Sequence, residues 1–358
     1  MSERRSLAVL DERRAELENC NFCPKLCRAA CPISDAESNE SVTPWGKMSS
    51  TLLVADGREP RTAEYGELPW ACTGCFACRE RCEQRNLVAE TLFDARADYV
   101  AVGIAPRAAE RVHTGFPARL RRIDAAIERL RAEEEHSATA PTALLVGCEY
   151  VLHFPEVARD AVRAARRLFG PVRVLNGCCG YPLRAAGYPQ EEQELRAGIE
   201  RQAKGARRLV AVDAGCAFTL GPEKAMPLAR AALAALGERR TSGASEPAEP
   251  LRYHDPCLLG RGLGEYDAPR ELIARRTGRA PLEFLENRRL GRCSGGGGLL
   301  PLTRPATAAR IARDRVEQHE RLGGGKIVTA CAQSLRRLRQ AGADVIDLTA
   351  ILRELSEL

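Results

Sequence analysis

No apolar run in this 358-residue chain approaches the roughly 20 residues that a membrane-crossing helix needs. The longest candidate, residues 143–151, is strand-sized and is broken by Cys148 and Glu149. The opening stretch, MSERRSLAVLDERRAEL, holds no apolar core of signal-peptide length. Aromatic residues are scarce, at 5%, and show no stacking pattern, which speaks against binding of single-stranded nucleic acid. A phosphate loop of the form G-x-x-x-x-G-K-[ST] is missing, and Gly260-x-Gly262-x-Gly264 lacks the third glycine at dinucleotide spacing. Neither sign of charge dominates: 54 basic against 48 acidic side chains leave +6, and the basic residues are mostly Arg dispersed on helix faces, often with acidic neighbours. Nucleic acid is therefore not expected as a partner.

Cysteine, by contrast, is abundant. Fifteen cysteines without an export signal point to a reducing, cytoplasmic setting, where thiols serve metals or redox chemistry. Eight of them form two runs, Cys20-x2-Cys23-x3-Cys27-x3-Cys31 followed by Pro32, and Cys72-x2-Cys75-x2-Cys78-x3-Cys82. The second has the bacterial ferredoxin spacing, in which three close thiolates serve one cubane cluster and the fourth serves its neighbour. On that rule Cys20, Cys23, Cys27 and Cys82 hold one 4Fe-4S cluster, and Cys72, Cys75, Cys78 and Cys31 the other. The first run has one residue too many between its second and third cysteines, and Glu83 rather than proline follows Cys82. Two structural zinc sites are an alternative use of such tetrads. A disulfide framework suits small secreted chains instead. Eight thiolates and two oxidised cores of about +2 each would bring the net charge to about +2.

The expected fold class is α+β multidomain. Residues 1–135 read as a helical dicluster ferredoxin-like module. Leu7, Leu10 and Leu17 fit one helical face, and so do Leu120, Ile123, Ile127 and Leu130 within 119–135. Thr43-Pro44-Trp45-Gly46 punctuates it, Trp45 and Trp70 read as packing residues, and 136–141 reads as a polar linker. Beyond it, short apolar runs at 143–146, 172–175, 209–212, 251–253, 282–285, 327–329 and 345–348 alternate with helical patterns at 156–169, 190–208, 223–236, 268–277, 306–322 and 334–341. That alternation indicates parallel sheets joined by right-handed crossovers. A Ser/Pro/Glu-rich stretch, 241–250, divides the region into α/β repeats at 141–240 and 251–358.

The two halves repeat each other in cysteine. Cys148, Cys178-Cys179-Gly180 and Cys216 follow the first three strands of one half. Cys257, Cys293-Ser294-Gly295 and Cys331 follow those of the other, and the gaps Cys179–Cys216 and Ser294–Cys331 are both 37 positions. The carboxyl edge of an open α/β sheet is where ligands bind, so three loops per half would bring scattered thiols to one point. Adjacent cysteines need a turn to face one ligand, which Gly180 allows. The glycines 295–298 would let backbone approach a large inorganic group. Gly323-Gly324-Gly325 reads as a helix-ending turn. His254, in His254-Asp255-Pro256-Cys257, reads as a structural histidine, with a role in orienting or protonating a group at the site as the sharper alternative.

The dicluster module followed by two Cys…Cys-Cys-Gly…Cys repeats resembles the cysteine-rich (CCG) iron–sulfur protein family, which includes heterodisulfide reductase cluster subunits and the iron–sulfur subunits of glycolate oxidase and anaerobic glycerol-3-phosphate dehydrogenase. The resemblance is carried by Cys178-Cys179-Gly180, His254-Asp255-Pro256-Cys257 and Cys293-Ser294-Gly295-Gly296-Gly297. In that family a full repeat has five cysteines ending in C-x-x-C, and in the heterodisulfide reductases it holds a noncubane cluster that splits a disulfide. This chain departs from the pattern. Its first repeat keeps Cys148, Cys178, Cys179 and Cys216, and either Asp213, three residues before Cys216, or Thr219, three after it, stands at the position of the missing thiol. Its second keeps Cys257, Cys293 and Cys331, with Ser294 and Ser334 where cysteines would be. Serine is a poor replacement for a thiolate on iron. The resemblance therefore implies a third cluster in the first repeat, with Asp213 as a candidate extra ligand, and a degenerate second site. It further implies a soluble electron-transfer subunit, not catalytic alone, that relays electrons between a partner, a flavoprotein or other redox subunit, and a quinone, ferredoxin or disulfide acceptor. Peripheral membrane association would come through a partner. A disulfide reductase acting at the CCG cluster, and CCG halves serving as a docking scaffold, are the alternatives.

Overall fold

The structure is a computed structural model that describes residues 7–21, 23, 25–237 and 249–357. The divider expected at 241–250 lies outside the described residues but for its last two positions. The chain forms two compact units: Met1–Gly115, Pro182–Glu192 and Arg292–Asp314 in the first, and Phe116–Tyr181, Gln193–Gly291 and Arg315–Leu358 in the second. Among the described residues no helix is long and apolar enough to cross a membrane.

The first unit is helical. Leu7, Leu10 and Leu17 are buried as their spacing implies, but on two helices, Ala8–Glu12 and Arg14–Asn21. Arg13, at the break, donates from Nε to Asp94 (2.8 Å), and the Leu10 N–H donates to Asp98 (3.0 Å). Both acids lie on the central helix Val88–Ala101. Pro44–Ala55 starts as its punctuation reads: Thr43 Oγ1 accepts the Gly46 N–H at 3.0 Å and Pro44 fills the first turn, where a missing N–H does no harm. Trp70 is buried, and half-buried Trp45 lies under the Lys25 ammonium at 3.7 Å.

Arg96 closes this unit. Its guanidinium is fully buried and donates to the carbonyls of Pro69 (3.0 Å), Cys72 (2.7 Å), Ala185 (2.7 Å) and Gly298 (3.2 Å). The planar fork satisfies four carbonyls from three stretches of chain. The glycine run is seated here too. A Cβ on Gly298 would lie 2.1 Å from the Cys72 carbonyl oxygen, and one on Gly297 would lie 2.3 Å from that of Thr73. The glycines do let backbone approach closely, but what they approach is the backbone of the second cysteine run.

The second unit holds both sheets, and all their strands are parallel. Strands β1 (Thr142–Leu145), β2 (Val172–Val174), β3 (Arg208–Ala211) and β4 (Met226–Pro227) lie in the order β2-β1-β3-β4. Strands β5 (Leu251–Tyr253), β6 (Lys326–Thr329) and β7 (Val345–Asp347) lie in the order β5-β6-β7. Register runs Leu144↔Val174, Leu145↔Ala211 and Tyr253↔Val328. Four buried residues in a row on β1 explain its unbroken apolar run, as expected for a strand covered on both faces. The amphipathic helix Pro155–Phe169 buries an alanine- and valine-rich stripe, and it packs against Leu348–Glu357.

Three expectations shift. The run at 282–285 forms only a bridge from Leu282 to Arg252, because Leu285 is 75% exposed and gains nothing from pairing. The helix expected over 223–236 starts at Leu228, after the short edge strand β4; Pro227 has no N–H to donate and suits an edge. The helix expected over 119–135 begins at Arg107 and passes through Pro117. Gly323–Gly325 end the helix Pro305–Arg321 with three positive φ angles, as read.

Two buried carboxylates of the second unit are paired. Asp255 accepts both terminal nitrogens of Arg270 at 2.8 Å, and Arg270 also holds Glu283. Tyr150 donates to Asp347 Oδ2 (2.5 Å), whose Oδ1 accepts the Thr349 N–H (3.0 Å). Burial nevertheless holds the Asp347 carboxyl above its ordinary range, at about 6.

Gly298→Ala puts a Cβ against backbone at a φ of +61°, and is expected to destabilise by at least about 2 kcal/mol in chemical denaturation. Gly103→Ala, with a φ of +76° and open space around it, should lose about 1 kcal/mol. For Asp347 the folded pKa lies above the unfolded value near 3.9, so its contribution is most favourable below that value and is lost as pH rises through 6. The ionised form costs on the order of 3 kcal/mol, and about half of that appears between pH 5 and 8. Denaturation curves of Asp347→Asn should lack that decline.

Candidate metal centres

Eight of the nine cysteines of the first unit fall into two groups of four by the fields they exert on one another. Cys20 closes the helix Arg14–Asn21, Cys27 lies in the 3-10 turn Leu26–Ala30, and Cys82 lies beyond Ala77–Glu80. Burial, with the fields of Cys27, Cys23 and Cys82, pushes the Cys20 thiol up to about 12. Burial and the fields of Cys23, Cys31 and Cys82 push Cys27 up to about 11. The extra residue of the first run is absorbed where Lys25 takes a left-handed φ of +64° before the turn, and its N–H donates to Cys23 Sγ at 3.4 Å. Asn86 serves the same group twice: Nδ2 donates to Cys20 Sγ (3.0 Å) and its backbone N–H to Cys82 Sγ (3.5 Å).

The second group crosses the runs. Burial, then the fields of Cys72, Cys75 and Cys31, hold the Cys78 thiol well above its ordinary range. Cys31 arrives from the first run as the residue that opens the helix Pro32–Glu37. Cys72 is raised by burial, while Lys47 and Arg96 pull against that. Cys31, Lys47, Cys72, Cys75 and Cys78 line one pocket, with Ile33, Phe76 and Val88 on its apolar side. Lys47 is 2% exposed, and its ammonium donates to the Ala71 carbonyl (2.6 Å) and reaches Cys31 Sγ (3.6 Å). Burial opposes its charge, yet the fields of the four sulfurs hold its pKa above the ordinary value. Thiols grouped around a pocket with a buried cation suit a cluster whose sulfurs carry net negative charge.

A third group lies at the carboxyl edge of the first sheet. Cys148 follows β1, Cys178 and Cys179 follow β2, and Cys216 follows β3, on the helix Ala214–Leu220. Cys178 Sγ donates to Cys148 Sγ at 3.6 Å, and the Gly180 N–H donates to Cys178 Sγ at 3.5 Å. Cys179 and Cys216 share a hydrogen bond that lowers the Cys216 pKa, while burial and Asp213 raise it, to about 12. Gly147 has a φ of +104°, and a Cβ there would lie 2.9 Å from Asp213 Cβ. Asp213 Oδ1 accepts the Gly215 N–H (2.8 Å) and Oδ2 the Ala332 N–H (3.0 Å). It caps one helix and ties the loop after β6 to that after β3. Thr219 donates to the Gly215 carbonyl within its own helix. Arg119 reaches Cys148 Sγ (3.7 Å) and pairs with Glu149.

The second-repeat thiols are placed differently. Cys293 lies in the first unit, where its thiol donates to Thr73 Oγ1 (3.6 Å) and accepts the Gly295 N–H (3.3 Å). Cys257 and Cys331 lie in the second unit. Cys257 precedes the π-helical turn Leu258–Gly262, which packs against Ala214–Leu220 and brings Gly262 against the Phe218 ring. Cys331 stands near Asp213 and takes hydrogen bonds from Ser334, while burial pushes it up to about 12. Ser334 thus serves a sulfur as a donor. His254 is buried and its Nδ1 accepts from Arg315 Nε at 3.4 Å; burial and the Arg315 and Arg261 charges hold its pKa well below the ordinary value. It is a neutral histidine strapped to its neighbours.

Lys47, Asn86, Arg96 and Arg119 were not singled out from sequence. Only Lys47 left a trace, as the one charged residue of the capped helix Pro44–Ala55.

Comparison with known proteins finds two domain families in this chain. Residues 16–86 match the 4Fe-4S dicluster domain, and residues 142–221 and 251–338 each match the cysteine-rich domain. The chain is 26% identical over 330 residues to a fumarate reductase (CoM/CoB) subunit of Methanothermobacter marburgensis, covering 88% of this chain and 66% of that protein. It is 30% identical over 108 residues to a dihydromethanophenazine:CoB–CoM heterodisulfide reductase subunit of Methanosarcina mazei, covering 30% of this chain and 26% of that one. An uncharacterized iron–sulfur protein of Methanocaldococcus jannaschii is 24% identical over 378 residues, 95% of this chain and 74% of its own. The chain thus spans about two thirds of the first of these relatives and a quarter of the second. The dicluster domain implies two 4Fe-4S clusters, and the cysteine-rich domain a further one. With a dicluster domain followed by two cysteine-rich domains, the chain belongs to the CCG-domain iron–sulfur proteins.

Proposed function

We propose that this chain is an electron-transfer subunit of an oxidoreductase complex, taking electrons from a partner dehydrogenase, of flavoprotein type, and delivering them to a quinone, ferredoxin or disulfide acceptor. The observation that carries the reading is the crossed grouping of the two N-terminal runs. The fields of Cys27, Cys23 and Cys82 act on the Cys20 thiol and those of Cys72, Cys75 and Cys31 on the Cys78 thiol, which supports that grouping. We assign each set to one 4Fe-4S cluster, and Cys148, Cys178, Cys179 and Cys216 to a third. Bound clusters supply one-electron carriers, which a chain with no hydride-binding motif otherwise lacks. The protein's own part is to hold the sulfurs, donate to the first group through Asn86, keep water from the second and third groups, and balance the charge of these two through Lys47 and Arg119. Asp213, with both oxygens on backbone N–H groups, serves the third site as a positioning residue that keeps lone pairs free for iron. We read Cys257, Cys293 and Cys331 as the remnants of a degenerate site. The organisation we assign is a module at 1–135 and repeats at 141–240 and 251–358.

Direct disulfide reduction at Cys178 and Cys179 is the weaker reading, because both are 2% exposed and a substrate sulfur would have to open the site. The relatives' names, fumarate reductase and heterodisulfide reductase subunits, agree with a place in a multi-subunit reductase.

Anaerobically purified protein should carry about eight irons and equal sulfide from the two N-terminal sites and about four more from the third. Cys78→Ser should remove about four irons and one low-temperature EPR signal, and Cys179→Ser should remove the third site's iron alone. Zinc-loaded, iron-free protein from iron-replete anaerobic cells would contradict the assignment. Native co-purification should bring down a flavin-containing partner.

A further inference from the structure

The two N-terminal sites are built from the same ligands but not in the same electrostatic surroundings. The donors to sulfur in the first are neutral: the Lys25 N–H, the Asn86 amide and the Asn86 backbone N–H. Cys23, Cys27 and Cys82 there are partly open to solvent. In the second, Cys31, Cys72 and Cys75 are buried, and the donor to Cys31 is the Lys47 ammonium. That ammonium is 2% exposed and is anchored at 2.6 Å on the carbonyl next to Cys72. Water and salt screen a charge in such a position poorly.

We propose that Lys47 sets the reduction potential of the second N-terminal site alone, stabilising the electron held there. The inference rests on the assignment of Cys31, Cys72, Cys75 and Cys78 to a 4Fe-4S cluster. An added electron makes the site more negative, and a fixed cation one contact away favours that state over the oxidised one. The neutral donors of the first site respond to the added charge through dipoles only. Lys47 is therefore a charge-balancing residue, and its cation adds to the difference in burial that already separates the two sites. The competing account is a purely mechanical strap, in which Lys47 merely ties the helix Pro44–Ala55 to the Ala71 carbonyl.

EPR-monitored redox titration of the full chain separates the two accounts, with the first site as internal control. Lys47→Gln keeps a donor for the carbonyl but removes the charge; Lys47→Arg keeps the charge. The expected result for Lys47→Gln is about a hundredfold fall in the reduction equilibrium constant of one site, ~120 mV at 59 mV per decade, with the other site unmoved. Lys47→Arg should stay within about threefold, ~30 mV, of wild type. If only the Arg variant takes up the second set of irons, the charge is needed for assembly and the proposal stands. A Gln variant within about threefold of wild type, equal shifts at both sites, or loss of the second set of irons in both variants overturns it in favour of the strap. Wild-type protein that takes up no iron fails earlier, on the iron count, and removes the assignment and this inference together.

Discussion

Negative charge on sulfur, held out of water, is the constraint that the rest of this molecule answers. A thiolate in a low-dielectric interior is unfavourable unless a cation, a dipole or a metal balances it. Burial pushes the Cys20, Cys27 and Cys78 thiols up, so each must surrender a proton to bind metal. The three groups answer differently. The first relies on the Asn86 amide, backbone N–H donors and partial exposure. The second uses the buried Lys47 ammonium. The third combines sulfur-to-sulfur contacts with Arg119 beside Cys148.

Close backbone approach is the means by which those groups are assembled. Gly298 allows residues 292–314 to lie against the second cysteine run, and Arg96 gathers the carbonyls that this approach leaves without partners. Gly147 plays the matching part in the other unit, where it lets the Cys148 loop meet the Asp213 loop. In both places a Cβ would force the two loops apart. Asp213 then secures its neighbours through two backbone N–H groups, a rigid arrangement that a water-exposed carboxylate could not maintain.

Much of this was legible in sequence because the signals are local. Short apolar runs between helical patterns gave six of the seven strands found among the described residues. The strand expected at 282–285 failed because an apolar residue need not be buried, and Leu285 is not. The glycines 295–298 were read for close approach, and close approach is what they do. Their neighbour proved to be the Cys72–Thr73 backbone, more than two hundred positions away in sequence. Cys293 likewise lies in the first unit beside Thr73, although its spacing pairs it with Cys331.

What the sequence by itself determined is the donor chemistry: which thiols are present, how they are spaced, and that parallel strands end just before Cys148, Cys178, Cys216, Cys257 and Cys331. These follow from residue identity and short-range periodicity, which need no knowledge of distant chain. What only the tertiary structure decided is the company those thiols keep. Lys47, Asn86, Arg96 and Arg119 carry no motif, and an ammonium at 2.6 Å from a carbonyl acts as it does because folding has removed the water that would otherwise screen it.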